Sequence, residues 1–386
     1  MRIPFVRIAA ASLLVPAVVS SPSFAGEFKF SGSAHYYYRD FYDTLASRPG
    51  ETSEIRRLRP VFEYKGERWS ARFMPDLARE TNKALEAYVD FTPDAAWDLR
   101  VGRFKSSASV DQLKSSNAVA ATEVSGVASM TSNRDNGILF GYGKPKDRWR
   151  YEIGVFDGAA DDEVKGSLDG GAEAAARVVR TFPLDKKGAF RLGLGVSGGN
   201  REGDADYARL ARYRTPGRST WFRYRSGAYA DGSTGRISGF ADYYGGPRYA
   251  QAEVVQSRET VRLGTDRVSV AHRGWEVQAG YVLTGEDRTY GGVDPGNFVV
   301  PGLDTPVAVE LTGRVGRITI DNDAFEAVSD PLSNGRRADL AGLALGLWFD
   351  NKWRVTSEFS VVRVANAASG DNDTERALTV ALVMAF

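Results

Sequence analysis

The chain has 386 residues and is rich in glycine and aromatic side chains, with 41 Gly, 20 Phe, 17 Tyr and 7 Trp. It contains no cysteine, which excludes disulfides, thiolate metal sites and a thiol nucleophile. Basic and acidic residues number 50 and 49, so no global field draws nucleic acid or small anions to the protein. Any preference for one sign of charge must therefore come from local arrangement.

The first 25 residues have the three parts of a secretory signal peptide. Two arginines precede the apolar residues 8–19, and residues 23–25 form a small-x-small cleavage motif. The apolar run is shorter than the roughly 20 residues that a membrane-spanning helix needs. We therefore predict cleavage after Ala25, export from the cytoplasm and a single mature domain of residues 26–386.

Beyond the signal peptide, the dominant pattern is an alternation of apolar and polar residues. In residues 275–284, Trp, Val, Ala, Tyr and Leu alternate with Glu, Gln, Gly, Val and Thr. Successive side chains of a strand point to opposite faces, so each such segment has one apolar and one wet face. The pattern predicts about sixteen strands, near residues 27–38, 52–64, 67–77, 84–91, 97–104, 137–143, 147–156, 173–182, 189–198, 236–244, 247–257, 272–284, 307–318, 338–349, 353–364 and 375–386.

The last predicted strand helps to decide between a soluble β-sandwich and a membrane barrel. Its alternate residues from 378 to 386 are Leu, Val, Leu, Met and Phe, so the chain ends on an aromatic residue. An even strand number near sixteen is typical of porins with an aqueous channel. With the signal peptide, this predicts an all-β fold. We expect a transmembrane antiparallel barrel in a Gram-negative outer membrane, in contact with lipid and lipopolysaccharide.

The predicted connections alternate in length, as expected for short periplasmic turns and long extracellular loops. The short ones are 65–66, 92–96, 144–146, 183–188 and 350–351, and the long ones are 41–51, 105–136, 157–172, 200–235 and 321–337. Residues 285–306 break the alternation, which indicates either an unusually long turn or an error in the strand count. Residues 218–229, counted here within a long loop, could instead form a strand.

The connection of residues 105–136 is the candidate constriction. It follows the fifth predicted strand and carries Lys105, Lys114 and Arg134 among many small polar residues. A connection of this length inside a compact fold is usually functional or disordered. It either folds into the lumen and narrows the pore or lies on the surface.

The second predicted strand carries three arginines. Arg57 and Arg59 share a face with Glu63, and Arg56 lies on the opposite face. A charge that faces lipid at the bilayer midplane costs about 2–4 kcal/mol, so we predict that Arg57 and Arg59 face the lumen, with Arg56 nearer a strand end. Guanidinium groups match phosphate and carboxylate oxygens, and rings of Arg and Lys select anions in pores. The alternative is a solvated wall whose arginines pair with Glu63 or Asp76.

Other arginines also fall on polar faces and could extend this set along the pore wall. They are Arg68, Arg72, Arg100, Arg148 and Arg150. Scattered wall charges explain each of them equally well.

Side chains suited to catalysis or metal binding are sparse. His35 and His272 are the only histidines, and neither has neighbours that indicate a triad or a metal site. The acidic residues 161–163 and 371–373 lack a calcium-loop spacing. We expect a channel without a cofactor, and the less favoured alternatives are an outer-membrane enzyme and an adhesin.

Several segments resemble the phosphate-selective porin O/P family. Residues 274–286, G-W-E-V-Q-A-G-Y-V-L-T-G-E, resemble the family's Y-x-L-T-G-E signature and are the most specific match. Residues 54–59, E-I-R-R-L-R, resemble its double-arginine second strand, and residues 101–105, V-G-R-F-K, resemble the start of its third loop. Residues 244–253, residues 309–314 and the terminal strand also fit, so the resemblance spans nearly the whole mature chain.

This resemblance implies a sixteen-stranded homotrimer whose third extracellular loop folds inward. It implies passive diffusion of small anions, including phosphate or polyphosphate, through an arginine- and lysine-lined constriction. The alternative within the same class is a general porin without selectivity. The residues that the resemblance assigns to anion binding are Arg56, Arg57, Arg59 and Lys105, with Arg103, Lys114 and Arg134 as further candidates.

Overall fold

The computed structural model describes most of the chain after the predicted signal peptide. The predicted cleavage site and the acidic residues 161–163 lie outside the described part. The described residues are 26–386 except 44, 46–49, 79–83, 95, 107–108, 145–146, 161–170, 185–187, 297, 300–304 and 350–351.

Sixteen antiparallel strands form a closed barrel, which confirms the predicted fold class and strand number. Each strand pairs with its neighbours in the chain, and the last strand pairs with the first, so the sheet has no open edge. The strands are β1 (Glu27–Asp43), β2 (Glu51–Lys65), β3 (Trp69–Pro75), β4 (Ala84–Phe91), β5 (Trp97–Phe104), β6 (Asp135–Tyr142), β7 (Trp149–Phe156), β8 (Gly171–Pro183), β9 (Ala189–Glu202), β10 (Tyr229–Gly245), β11 (Arg248–Leu263), β12 (Asp266–Val282), β13 (Val307–Thr319), β14 (Gly335–Phe349), β15 (Trp353–Asn366) and β16 (Asn372–Ala385).

The outer face of the barrel is apolar and the inner face is polar. In β12, Trp275 and Tyr281 are exposed, whereas Glu276 and Gln278 between them are buried inside the barrel. A closed barrel satisfies every backbone hydrogen bond within the sheet, and an apolar outer face suits it to lipid. Among the described residues, no helix is both long enough and apolar enough to cross a bilayer.

The two ends of the barrel differ in their connections. The end that holds Glu27 and Phe386 has mostly short turns, such as residues 66–68 and 246–247, and is the periplasmic end by this criterion. The opposite end has most of the long loops, although β11 and β12 are joined there by only residues 264–265. The predicted alternation therefore holds except for one long segment at the periplasmic end and two short connections at the opposite end, residues 264–265 and 367–371.

The exception at the periplasmic end is the segment between β12 and β13, residues 283–306. The strand count is correct, so this segment is an unusually long turn. It contains a two-stranded hairpin of Arg288–Thr289 with Gly292–Val293. The Arg288 guanidinium donates to Glu310 at 2.7 Å and to the Ala118 carbonyl at 2.8 Å, so part of this turn reaches into the lumen.

The ambiguous residues 218–229 contain a short strand that is not part of the barrel. Thr220–Arg223 pairs with Arg212–Arg214 in a separate two-stranded sheet, and β10 begins at Tyr229. The aromatic residues Tyr213 and Phe222 of this hairpin are fully buried in an apolar cluster with inward-facing residues of β11 to β15. This cluster fills one side of the lumen.

Candidate functional site

The loop of residues 105–134 joins β5 to β6 and is called the third loop below; its described residues, 105–106 and 109–134, lie inside the barrel. The Thr122 amide donates to Glu358 of β15 at 3.0 Å, and the Gly126 amide donates to Glu276 of β12 at 2.8 Å. Both glutamates are buried on the inner face of the wall. The third loop therefore crosses the lumen from β5 and contacts the opposite wall.

Three arginines hold the loop backbone against that wall. Arg354 donates to the Val119 carbonyl, Arg314 to the Glu123 carbonyl at 3.2 Å, and Arg288 to the Ala118 carbonyl. The three arginines are almost fully buried. None of the three is among the predicted site residues, although alternation places Arg314 and Arg354 on the polar faces of their strands.

A β-bulge in β2 determines where its arginines point. His35 pairs with Arg57 and Tyr36 pairs with Ile55, so Arg56 has no partner on β1. A bulge of this kind breaks the strict alternation of faces. Arg56 and Arg57 both point inward, while Ile55 lies outside with 60% of its surface exposed. Strict alternation put Arg56 on the outer face near a strand end, and the bulge corrects that expectation.

Arg56 and Arg57 converge on one carboxylate of the third loop. Glu123 accepts hydrogen bonds from Arg56 Nε at 2.7 Å and from Arg57 Nη2 at 2.8 Å, and Arg39 Nη2 lies 3.8 Å away. Burial alone raises the pKa of Glu123, but Arg56 and Arg57 outweigh it and hold that pKa well below its usual range. The carboxylate is therefore ionised and neutralises part of the arginine charge.

A cavity of about 380 Å³ lies beside the third loop against β1 to β5. Ser115, Ser116 and Asn117 of the loop supply part of its polar lining. Glu86 is the one acidic residue among the described residues that line it. The basic residues of the lining are Arg59, Arg72, Arg100, Lys105 and Arg134.

Acidic side chains of the wall hold several of these basic groups in place. Arg59 Nε bonds Asp76 at 3.0 Å. Arg134 Nη2 and Arg72 Nε both bond Glu86, at 2.9 Å and 3.0 Å. Arg72 also bonds Glu63 at 2.5 Å, so each arginine of the lining has a wall carboxylate and the excess positive charge comes from Lys105.

The positive charge around the cavity affects the amine of Lys105. Its Nζ atom donates to the Lys114 carbonyl at 2.5 Å, which directs the amine along the inside of the loop. Burial, together with the charges of Arg134 and Arg59, lowers the pKa of Lys105 to about 7. An anion in the cavity would relieve the same repulsion.

The structure separates the seven predicted site residues into different places. Arg59, Lys105 and Arg134 line the cavity, whereas Arg56 and Arg57 bind Glu123. Lys114 bonds Gln251 on the far wall. Arg103 shares the outward face of β5 with Val101, which is 45% exposed, and its Nη1 lies 3.4 Å from Asn136 Oδ1.

Arg72 and Arg100 line the cavity although the sequence predicted them only as wall charges, and Glu86 is a partner that the sequence did not reveal. Arg100 bonds Asp90 at 2.6 Å and its guanidinium lies 4.2 Å from the centre of the Tyr88 ring. The signal in the sequence was the alternation of β4, which puts Glu86, Tyr88 and Asp90 on one face. The described residues contain no group of three side chains suited to binding a metal ion.

Solved structures show the same fold at low sequence identity. OprB of Pseudomonas putida matches with a TM-score of 0.56 and 11% identity over 94% of each chain. An anion-selective porin from Comamonas acidovorans matches with a TM-score of 0.55 and 9% identity over 94% of this chain and 100% of that chain. OmpT of Vibrio cholerae matches with a TM-score of 0.53 and 11% identity over 95% of this chain and 99% of that chain. These likenesses establish the architecture alone.

At the level of sequence, no curated protein is similar enough to count as a relative. The family model described as phosphate-selective porin O and P matches residues 28–386, nearly the whole chain. That match confirms the resemblance drawn from the β2 arginines and the β12 signature. This chain is an outer-membrane porin and belongs to the phosphate-selective porin O and P family.

Proposed function

We propose that the protein is a passive channel for small anions across the outer membrane, with phosphate among its solutes. The observation that carries this proposal is the lining of the 380 Å³ cavity, in which five basic residues face one acidic residue. Rings of Arg and Lys are the means by which pores favour anions. The third loop narrows the lumen and directs solutes past this lining.

The cavity supplies what an anion needs when it loses part of its hydration shell. Arg59, Arg134 and Lys105 offer N–H donors within one polar space, and charge-assisted hydrogen bonds to an oxyanion replace those of water. The counter-charges Asp76 and Glu86 moderate the attraction. Binding must stay weak enough for release, since the concentration gradient is the only driving force and the channel needs no cofactor.

Two observations support the proposal that phosphate is one of the solutes. The family description names phosphate selectivity, and guanidinium groups present planar sets of donors that match phosphate oxygens. A general porin without selectivity is the competing function. Added phosphate should block the chloride current of a single channel at low concentration if the cavity holds phosphate specifically, and should merely add to the current in a general porin.

A matched pair of variants tests the cavity itself. Arg59→Gln with Lys105→Gln removes two cations from the lining, and Arg103→Gln with Lys114→Gln removes the same two types from positions outside it. The first pair should move the reversal potential in a salt gradient towards cation preference and weaken the phosphate block. The Arg103→Gln/Lys114→Gln pair should change the reversal potential and the phosphate block much less. Equal effects of the two pairs would reject the assignment of this cavity.

Assembly and export belong to the same proposal. We propose a homotrimer, supported by the family resemblance and by the trimer form described for OmpT of Vibrio cholerae, which shares this fold. The proposed signal peptide of residues 1–25 delivers the chain to the periplasm. Mass spectrometry of the protein extracted from outer membranes should give a mature start at Gly26.

A further inference from the structure

The outer wall of the barrel carries a group of arginines on the side of β11 to β15. Arg273 of β12 and Arg363 of β15 are exposed. They share the outward faces of their strands with Trp275 and Phe359, which are 41% and 43% exposed. Arg258 of β11 has the same outward orientation and is also exposed. These positions lie outside the lumen, so the passage of anions does not explain them.

Strand register brings the arginines together. Arg317 of β13 lies opposite Trp275 on one side and Asp339 on the other, and Asp339 lies opposite Arg363. Neighbouring strands are about 4.8 Å apart, so the backbones of Arg317 and Arg363 are separated by about 10 Å. One cationic surface across β11 to β15 therefore contains Arg258, Arg273, Arg317 and Arg363, and we call it the outer arginine surface.

The charge of the outer arginine surface is only partly compensated. Asp339 accepts hydrogen bonds from Arg317 Nε at 2.5 Å and from Arg337 Nε at 3.0 Å, so one carboxylate serves two cations. The guanidinium groups of Arg258, Arg273 and Arg363 make no hydrogen bond or ion pair with any side chain in the described part of the chain. The surface is net positive and open to a ligand.

Strand length places this surface at the outer boundary of the membrane. Tyr281 is exposed at the periplasmic end of β12, eight residues from Arg273. Eight residues at about 3.3 Å each, in a strand tilted by about 40°, rise roughly 20 Å. The apolar band of such barrels is about 25 Å tall, so Arg273 lies close to the level of the outer-leaflet headgroups.

The opposite side of the barrel lacks this feature. The outward positions in the extracellular halves of β6 to β9 hold residues such as Asn136, Val155, Ala174 and Asn200, and no arginine occurs among them. If these arginines served only to keep the extracellular loops soluble, charged residues would be expected all around the extracellular rim of the barrel. The asymmetry indicates a ligand that binds on the side of β11 to β15.

We propose that the outer arginine surface is a binding site for the phosphate-bearing headgroup of an outer-leaflet glycolipid of the lipopolysaccharide class. The headgroup phosphates would accept charge-assisted hydrogen bonds from Arg273 and Arg363. The acyl chains would lie along the adjoining apolar residues Trp275 and Val315, which face outward below the arginines. Because the lipid is amphipathic, it complements both parts of the surface, whereas free phosphate complements only one.

The test is native mass spectrometry of the purified full-length mature porin with diphosphorylated lipid A and with lipid A stripped of its phosphates. The wild type should retain the diphosphorylated lipid and bind the stripped lipid about tenfold or more weakly. Arg273→Gln with Arg363→Gln should lose that preference. The control Arg180→Gln with Arg248→Gln removes two outward arginines of the periplasmic end and should keep it.

Two further measurements make the outcome decisive. Millimolar inorganic phosphate should not displace the lipid, and the reversal potential of the Arg273/Arg363 variant should equal that of wild type, because neither residue faces the lumen. Equal binding of the two lipids by the wild type would overturn the proposal even if the variant failed to assemble. Failure of this proposal would leave the anion channel untouched.

Discussion

At the scale of single residues, the role of each arginine depends on the carboxylate that reaches it. Arg57 and Arg59 both face the lumen, as alternation along β2 predicted. Glu123 then binds Arg57 to the third loop, whereas Asp76 holds Arg59 in the cavity lining. Glu123 is 66 residues from Arg57 and arrives on a loop, so no local pattern in the sequence could reveal the pairing.

Lys105 gives the channel a predicted pH dependence. The pKa of Lys105 is lowered to about 7, so the amine is about 90% charged at pH 6 and about 10% charged at pH 8. The cavity therefore loses positive charge as the pH rises through 7. Anion preference, measured as the reversal potential in a salt gradient, should fall between pH 6 and pH 8.

Lys105→Gln is the variant that isolates this effect. Its reversal potential should change much less over the same pH range than that of wild type, and should resemble that of wild type at pH 8. A wild-type profile that is flat from pH 6 to pH 8 would contradict the assignment of a titrating amine to the cavity.

Glu123→Gln should increase anion preference. The substitution keeps the shape of the side chain but removes the charge that neutralises Arg56 and Arg57. Unit charges 4 Å apart in water interact by about 1 kcal/mol, so the permeability ratio should rise by up to about fivefold. Asp339→Asn removes the same charge from the outer wall and should leave the reversal potential unchanged. A fall in anion preference in Glu123→Gln would count against this account.

At the scale of elements, each strand carries its own alternating pattern, so all sixteen were predictable from the sequence. Their ends were not: β10 begins at Tyr229 rather than near residue 236, because strands that project beyond the apolar band no longer need strict alternation. Local sequence patterns also could not predict the path of the third loop. Its course depends on contacts with Glu276 and Glu358, more than 100 residues away.

Gly102 lies two residues before the end of β5, close to the entry into the third loop. Its φ is +128°, and an added Cβ would lie 2.2 Å from the Ala87 carbonyl oxygen. Gly102→Ala should therefore lower the free energy of unfolding by about 1–3 kcal/mol or more. Urea unfolding in detergent, followed by tryptophan fluorescence, measures the change.

Gly313→Ala is the matched control, because an added Cβ there meets no atom within 4 Å. We expect its free energy of unfolding to stay within about 0.5 kcal/mol of wild type. If both variants lost stability equally, the close approach of Gly102 to β4 would not be the cause.

At the scale of the whole molecule, closure of the sheet and partial filling of the lumen together define the channel. The sequence predicted closure, since an even number of amphipathic strands with an apolar outer face must hide its edges from lipid. It did not predict that an apolar cluster around Tyr213 and Phe222 would occupy one side of the lumen. That cluster combines residues from loops and strands across more than 200 positions.

The seam between β1 and β16 ends at Phe386. Gly32 and Phe386 exchange two backbone hydrogen bonds, at 2.7 Å and 3.0 Å, and the rings of Phe386 and Phe30 are 5.9 Å apart. Deletion of Phe386 should cost about 2–4 kcal/mol from these bonds and the ring contact. The fraction of barrel that resists heating in detergent should fall, while Phe386→Tyr should keep it. A deletion variant as heat-resistant as wild type would show that the seam does not need this residue.

The most direct test of the central claim is the reversal potential of wild-type single channels in a planar bilayer under a potassium chloride gradient at pH 6. The lining of Arg59, Lys105 and Arg134 predicts stable open channels whose reversal potential has the sign of chloride preference. A potential at zero or of the potassium sign, or a bilayer that stays silent, would contradict a basic aqueous passage through this barrel.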